Sequence, residues 1–205
     1  HRDLHLSIRR QRQMCIRDRN CIGIHLNLVI AFPPEGEDSM QGVLQEEIEG
    51  MKNIEKYQAT GYGYFAIQST KPQTLGYGLN DSPVGLAAWI IEKFHGWTKD
   101  DSDKLVVPLD EVLAIVSLYW HTESITSSAR FYYENGPLGF TFNPVSQPMA
   151  GAIFENEIAR PPRVWAEKIY NIVQWNQYPG GHFAALENPK ILSEDIFNFA
   201  AKLEI

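Results

Sequence analysis

Between Ala150 and Trp175 the chain reads strand, helix, strand, and this order constrains its fold more than any other feature. Ala150 to Phe154 and Asn171 to Trp175 are short β-like runs, and Arg163 to Ile169 between them is a helical stretch that follows Pro161-Pro162. Proline has its φ set for a first helical turn and no N–H to leave unbonded there, so the pair marks a helix start. Two strands joined through a helix are predicted to lie parallel in one sheet. Ile191 to Leu203 then closes the chain as an amphipathic helix. Far upstream, residues 21 to 32 form a continuous apolar run that ends at Pro33-Pro34, which reads as a further buried strand.

The residues between these strands are patterned for helix. Gln41 to Thr60 is a Glu-rich amphipathic stretch, Pro83 to Phe94 repeats apolar residues at helical spacing, and Leu109 to Trp120 is a third such segment. Asp81-Ser82-Pro83 supplies a cap and a first-turn proline, and Asp110 helps to open the next helix. The pattern predicts a parallel α/β core carrying a helical cap. We divide it into a core strand over 20–33, a cap over 34–145 and the C-terminal part of the core over 146–205. Pro137 to Pro148 is the expected hinge.

Residues 1–19 stand apart. They hold six Arg against two Asp, a local charge of +4 in a chain of −7 overall, which leaves −11 on the remainder. A surface that acidic repels nucleic acid, so no nucleic-acid partner is expected. The string Met14-Cys15-Ile16-Arg17-Asp18-Arg19 resembles translated sequencing-adapter DNA at the end of an assembled metagenomic gene, and we expect native codons upstream to have been lost. The alternative is a basic, disordered arm. Only Cys15 and Cys21 are available for pairing, too close together to staple a fold, so a reducing, cytoplasmic setting is expected. No run approaches the roughly 20 apolar residues of a membrane span.

Chemistry concentrates at Gly180-Gly181-His182-Phe183, between the last predicted strand and the last helix. Loops at the carboxyl ends of parallel strands hold the active sites of such sheets. A histidine there can take a proton from water near neutral pH, provided a partner fixes its tautomer. Two carboxylates compete for that role, Glu155 and Glu157, both at the end of the preceding strand, and spacing does not choose between them. Read locally, His182 fits a plain turn histidine equally well. Tyr62, Tyr64, Tyr132 and Tyr133 read first as cap packing. No His, Cys or carboxylate pair has metal-ligand spacing, so no metal and no cofactor are expected.

Four strings carry a wider likeness. They are IQSTKPQTLGYGLNDSPVGLAAWIIEKF from Ile67, LYWHTESITSSARFYYEN from Leu118, FENEIARPPRVWAEK from Phe154 and GGHFAALENP from Gly180. In this order they resemble the epoxide hydrolases related to the microsomal mammalian enzyme and its fungal and bacterial relatives, over nearly everything after residue 19. The resemblance implies the C-terminal half of an α/β-hydrolase fold with a helical cap, a small-molecule epoxide as substrate, and room for a homodimer of the intact protein. In that family an aspartate attacks an epoxide carbon, two cap tyrosines bond the epoxide oxygen, and a histidine oriented by a carboxylate activates the water that hydrolyses the ester. His182 matches the base. Glu157, eight residues before Trp165, matches the orienting acid, while Glu155 falls where the family usually has proline. Tyr64, four residues before Gln68, and Tyr132 match the two tyrosines.

The resemblance also implies a Gly-Gly-Asp-Trp-Gly turn shortly before Cys21 and a His-Gly-x-Pro turn for the oxyanion hole. Neither stands in this sequence. Asp18 lacks the flanking glycines of a strand-to-helix elbow and receives no role, and His95-Gly96-Trp97-Thr98 only imitates the second turn. The polypeptide by itself is therefore expected to be aggregation-prone and inactive. Two other readings stay open: a capped hydrolase for another bond, such as a dehalogenase or esterase, and a non-catalytic binding module on the same fold.

Overall fold

The computed structural model describes residues 21–36, 38–98, 104–135 and 144–203. Residues 1–20, with Cys15 and Asp18, lie outside them, as does the first part of the expected hinge, 137–143.

The chain enters through β1 (Ile24–Leu26). Helices follow: α1 (Gln45–Lys56), which runs into a wider π-type turn over Tyr57–Gly61, α2 (Gly63–Thr70), α3 (Pro72–Asp81), α4 (Pro83–Gly96), α5 (Leu109–His121) and α6 (Ile125–Asn135). The core resumes with β2 (Val145–Asn156), α7 (Arg163–Ala166), β3 (Tyr170–Gly181), α8 (Ala184–Glu187) and α9 (Pro189–Lys202). The three strands are parallel in the order β1-β2-β3. Strands and helices thus mix around a small parallel sheet, the arrangement that the resemblance implies.

Strand β2 is central, and Met149 to Phe154 are all buried, because strands flank it on both sides and both its faces are covered. The apolar run from Cys21 behaves differently. Only Ile24 to Leu26 pair, against Met149 to Gly151, and all three are half-buried. Among the described residues β1 has one strand neighbour, so its apolar character outruns the sheet available to bury it. Strand β3 exceeds the expected segment, since it runs on to Gly181, which pairs with Asn156. The glycines expected in a loop thus sit at a strand end. Val145 to Pro148, assigned to the hinge, belong to β2.

The helical region has its own core of Leu79, Leu86, Ile90, Phe94, Val107, Val112, Val116 and Ile125. Removing each large aliphatic side chain from water contributes about 1.5–3 kcal/mol. Local signals set the helix ends. Ser82 Oγ accepts from Gly85 N at 3.1 Å at the start of α4, with Pro83 in its first turn. Asp110 and Glu111 occupy the first turn of α5, where their charge suits the helix dipole. Contacts to α7 help to tie this region to the core: Glu47 accepts from both Leu44 N (2.9 Å) and Arg163 N (2.8 Å), and Trp165 Nε1 donates to the Ser39 carbonyl at 2.7 Å. No helix among the described residues is long and apolar enough to cross a membrane.

Candidate active site

The carboxyl ends of β2 and β3 place an acid and a histidine together. Beyond β2 the chain turns, with Glu157 N donating to the Phe154 carbonyl at 3.1 Å, and this carries Glu157 inward to 1% exposure. Glu155 stays at the surface. The alternative that spacing left open is thus separated by the backbone path: Glu157 alone of the two meets His182, its Oε1 standing 2.7 Å from Nδ1. Glu157 Oε1 also accepts from Ile158 N at 2.7 Å.

His182 is presented by a tightly packed strand end. Gly180 has φ +129°, where an L side chain is strained. At Gly181 a Cβ would come within 2.4 Å of the Trp97 carbonyl oxygen. That close approach lets His182 N donate to the same oxygen at 2.8 Å. With Nδ1–H directed at the carboxylate, Nε2 is left as the proton acceptor, a tautomer assigned from the bonding pattern. The imidazole packs edge-on against Trp97, ring centres 5.1 Å apart.

Three phenols form a second group. Tyr57 lies in the π-type turn, Tyr64 on α2 and Tyr132 on α6. The Tyr57 hydroxyl donates to that of Tyr64 at 2.9 Å, and the Tyr64 ring packs edge-on against Tyr132, ring centres 5.9 Å apart. On the same helix as Tyr64, buried Gln68 accepts from Trp89 Nε1 through its Oε1 at 3.3 Å. Burial pushes the pKa of all three phenols up; the hydrogen bond to Tyr57 and the charge repulsion of the neighbouring phenols Tyr57 and Tyr132 raise Tyr64 further. All three are neutral donors at ordinary pH. Lys93 Nζ sits 4.8 Å above the Tyr64 ring.

Trp97 joins the two groups, its ring 5.2 Å from Tyr64 and 5.1 Å from His182. An open cleft of about 520 Å³ runs along this junction, lined among others by Asn53, Lys56, Tyr57, Trp97 and Glu157. His182, Glu157, Tyr64 and Tyr132 therefore fall in one neighbourhood. His95 and His121 are exposed at the ends of α4 and α5. His25 lies elsewhere, its Nε2 2.8 Å from buried Asp195. Sequence reasoning missed Tyr57 and Trp97. Of these Trp97 had a signal, since it stands in the His-Gly-Trp-Thr string dismissed as an imitation. Among the described residues no three His, Cys, Asp or Glu side chains converge as metal ligands do.

No family model matches the chain. It is 44% identical over 156 residues to epoxide hydrolase 1 of Sus scrofa, covering 69% of this chain and 34% of that protein. The epoxide hydrolase of Aspergillus niger superposes with a TM-score of 0.83 at 33% identity, covering 94% of this chain and 49% of that one. The juvenile hormone epoxide hydrolase of the silkworm Bombyx mori gives 0.73 at 28% identity, with 89% and 49% covered. The chain thus spans half or less of the length of the proteins it matches. The small parallel sheet with its helices, superposing on these solved structures, defines part of an α/β-hydrolase fold. Within that class, the chain belongs to the epoxide hydrolases, and its coverage is consistent with a C-terminal portion of such a protein.

Proposed function

We propose that this chain carries the base, the orienting acid and the oxygen-binding donors of an epoxide hydrolase that converts an epoxide and water to a vicinal diol. The attacking carboxylate is supplied from outside residues 20–205. It forms a bond to one epoxide carbon while that carbon's C–O bond breaks, and the electron pair stays on the departing oxygen. Tyr64 and Tyr132 donate to that oxygen as its charge grows, which neutral phenols can do without a charge of their own. His182 Nε2 then takes a proton from water, and the hydroxide adds to the ester carbonyl. Glu157 stabilises the imidazolium through Nδ1. Collapse breaks the ester's acyl C–O bond, the proton of the added hydroxyl passing to the leaving oxygen, so that the diol departs and the carboxylate is restored. The proton held by His182 balances the one taken by the alkoxide.

The observation that carries this reading is the meeting of the two chemistries across one indole. Trp97 touches Tyr64 on one side and His182, bonded to Glu157, on the other. A dehalogenase or esterase needs the dyad but not two phenols. By itself the 205-residue chain is expected to turn over no epoxide.

The test is to sequence the source DNA upstream of the Asn20 codon, express the extended reading frame, and follow hydrolysis of an aryl epoxide in ¹⁸O-labelled water. Under single-turnover conditions the label enters the enzyme's carboxylate rather than the diol. Label in the first diol formed would refute an ester intermediate.

A further inference from the structure

Glu187, which ends the single turn of α8, reaches back around the base. Its Oε2 accepts from Gly181 N at 2.9 Å and its Oε1 from Phe183 N at 3.0 Å. These are the two amides on either side of His182, whose own N–H is held by the Trp97 carbonyl at 2.8 Å. Three successive N–H groups are therefore occupied, two of them by one carboxylate. A carboxylate only accepts, so both oxygens can serve amides together, and its charge makes each bond stronger than a neutral one. The return path is closed as well, with Glu187 N donating to the Phe183 carbonyl at 2.9 Å.

The consequence is mechanical. A small rotation of either peptide flanking His182 would swing the imidazole off Glu157, and Gly180 and Gly181 have no side chains to resist it. The constraint must come from outside the glycine pair: the Trp97 carbonyl holds the His182 amide, and Glu187 holds the two amides that flank it. We propose that Glu187 is a positioning residue for His182: it clamps both flanking amides so that Nδ1 stays on Glu157. The proposal rests on His182 being the base. Its test reads the imidazole and the amides rather than turnover, so an inactive enzyme with the clamp intact would fault only the functional reading.

The experiment is proton and nitrogen NMR on the full chain and on Glu187→Gln and Glu187→Ala. Gln keeps the length but turns an NH₂ toward one amide. In both variants the hydrogen-bonded Nδ1 proton of His182 is expected to disappear by exchange. The amides of Gly181 and Phe183 should exchange at least about 10-fold faster. Protection at Leu86 and Val112 in the cap core should be kept. An unchanged Nδ1 signal with unchanged amides, whatever the melting temperature does, overturns the proposal. Should both variants unfold, an acid titration of the unaltered chain decides: the Gly181 and Phe183 amide shifts must move with the Glu187 carboxyl carbon at one midpoint. Separate midpoints overturn it.

Discussion

The backbone N–H of His182 donates to the carbonyl of Trp97 at 2.8 Å, which ties the end of β3 to the end of cap helix α4. Phe183 strengthens the tie by stacking on Phe94, ring centres 4.0 Å apart at 15°, so the segment after His182 packs into the core of the helical region. Cap and sheet meet at the histidine.

Phe183→Ala should therefore weaken more than local packing. Phe183 is half-buried, so the cost is expected near 2 kcal/mol, below the roughly 3–5 kcal/mol of a fully buried Phe. Urea denaturation measures it, and His182 N should lose exchange protection in the same variant.

Glu157 and Glu155 should part completely when each is changed to Gln. Glu157→Gln in the extended enzyme is expected to slow ester hydrolysis by about 10²-fold or more, because the imidazole loses the acceptor that fixes its tautomer. Glu155→Gln should leave the rate within a factor of two or so, as exposed substitutions usually do. Single-turnover kinetics separates the two steps.

Tyr64→Phe and Tyr132→Phe are each expected to slow ester formation, by roughly 10–10³-fold, for the loss of one aligned donor. Tyr57→Phe should act in the same direction but more weakly, since Tyr57 bonds the Tyr64 hydroxyl. Burial raises all three phenol pKa values above the ordinary 10.0. The alkylation rate should hence hold flat through pH 9, with no loss from phenol ionisation; stopped-flow fluorescence across that range checks it.

Asp195 should be the acid-sensitive point of the fold. It is fully buried, and burial acts to raise its pKa, but hydrogen bonds from Tyr178, Asn176, His25 and Gln174 outweigh this and lower it below 3.8. A depressed carboxylate contributes stability above its unfolded pKa, and that contribution is lost as pH falls through the folded value. Stability should hold down to about pH 4 and decline below. Tyr178 is pushed up to about 12, by burial and then by Asp195, so its contribution fades only as pH rises from 10 toward 12. Asp195→Asn should cost about 3–5 kcal/mol, read from denaturation at pH 7.

How much of this was legible differs from element to element. Strand, helix and strand across Pro161-Pro162 could be read because proline and apolar alternation act locally, and β2, α7 and β3 followed. The run from Cys21 was overread, since an apolar stretch reports the wish for burial and not how many neighbours supply it. His182, Glu157 and the two tyrosines came through matched strings, whereas the physical separation of Glu157 from Glu155 lies in a turn that local spacing does not give. Tyr57 was hidden by a change from helical to π-type winding. The partnership of His25 with Asp195 spans 170 positions and leaves no local trace.

The most direct test of the central claim is intact-protein mass spectrometry of His182→Gln in the extended enzyme after mixing with an aryl epoxide. If His182 is the base for the second step only, the variant gains the mass of one epoxide and keeps it, while the unaltered enzyme returns to its original mass. A variant that stays unmodified and still releases diol would contradict the account.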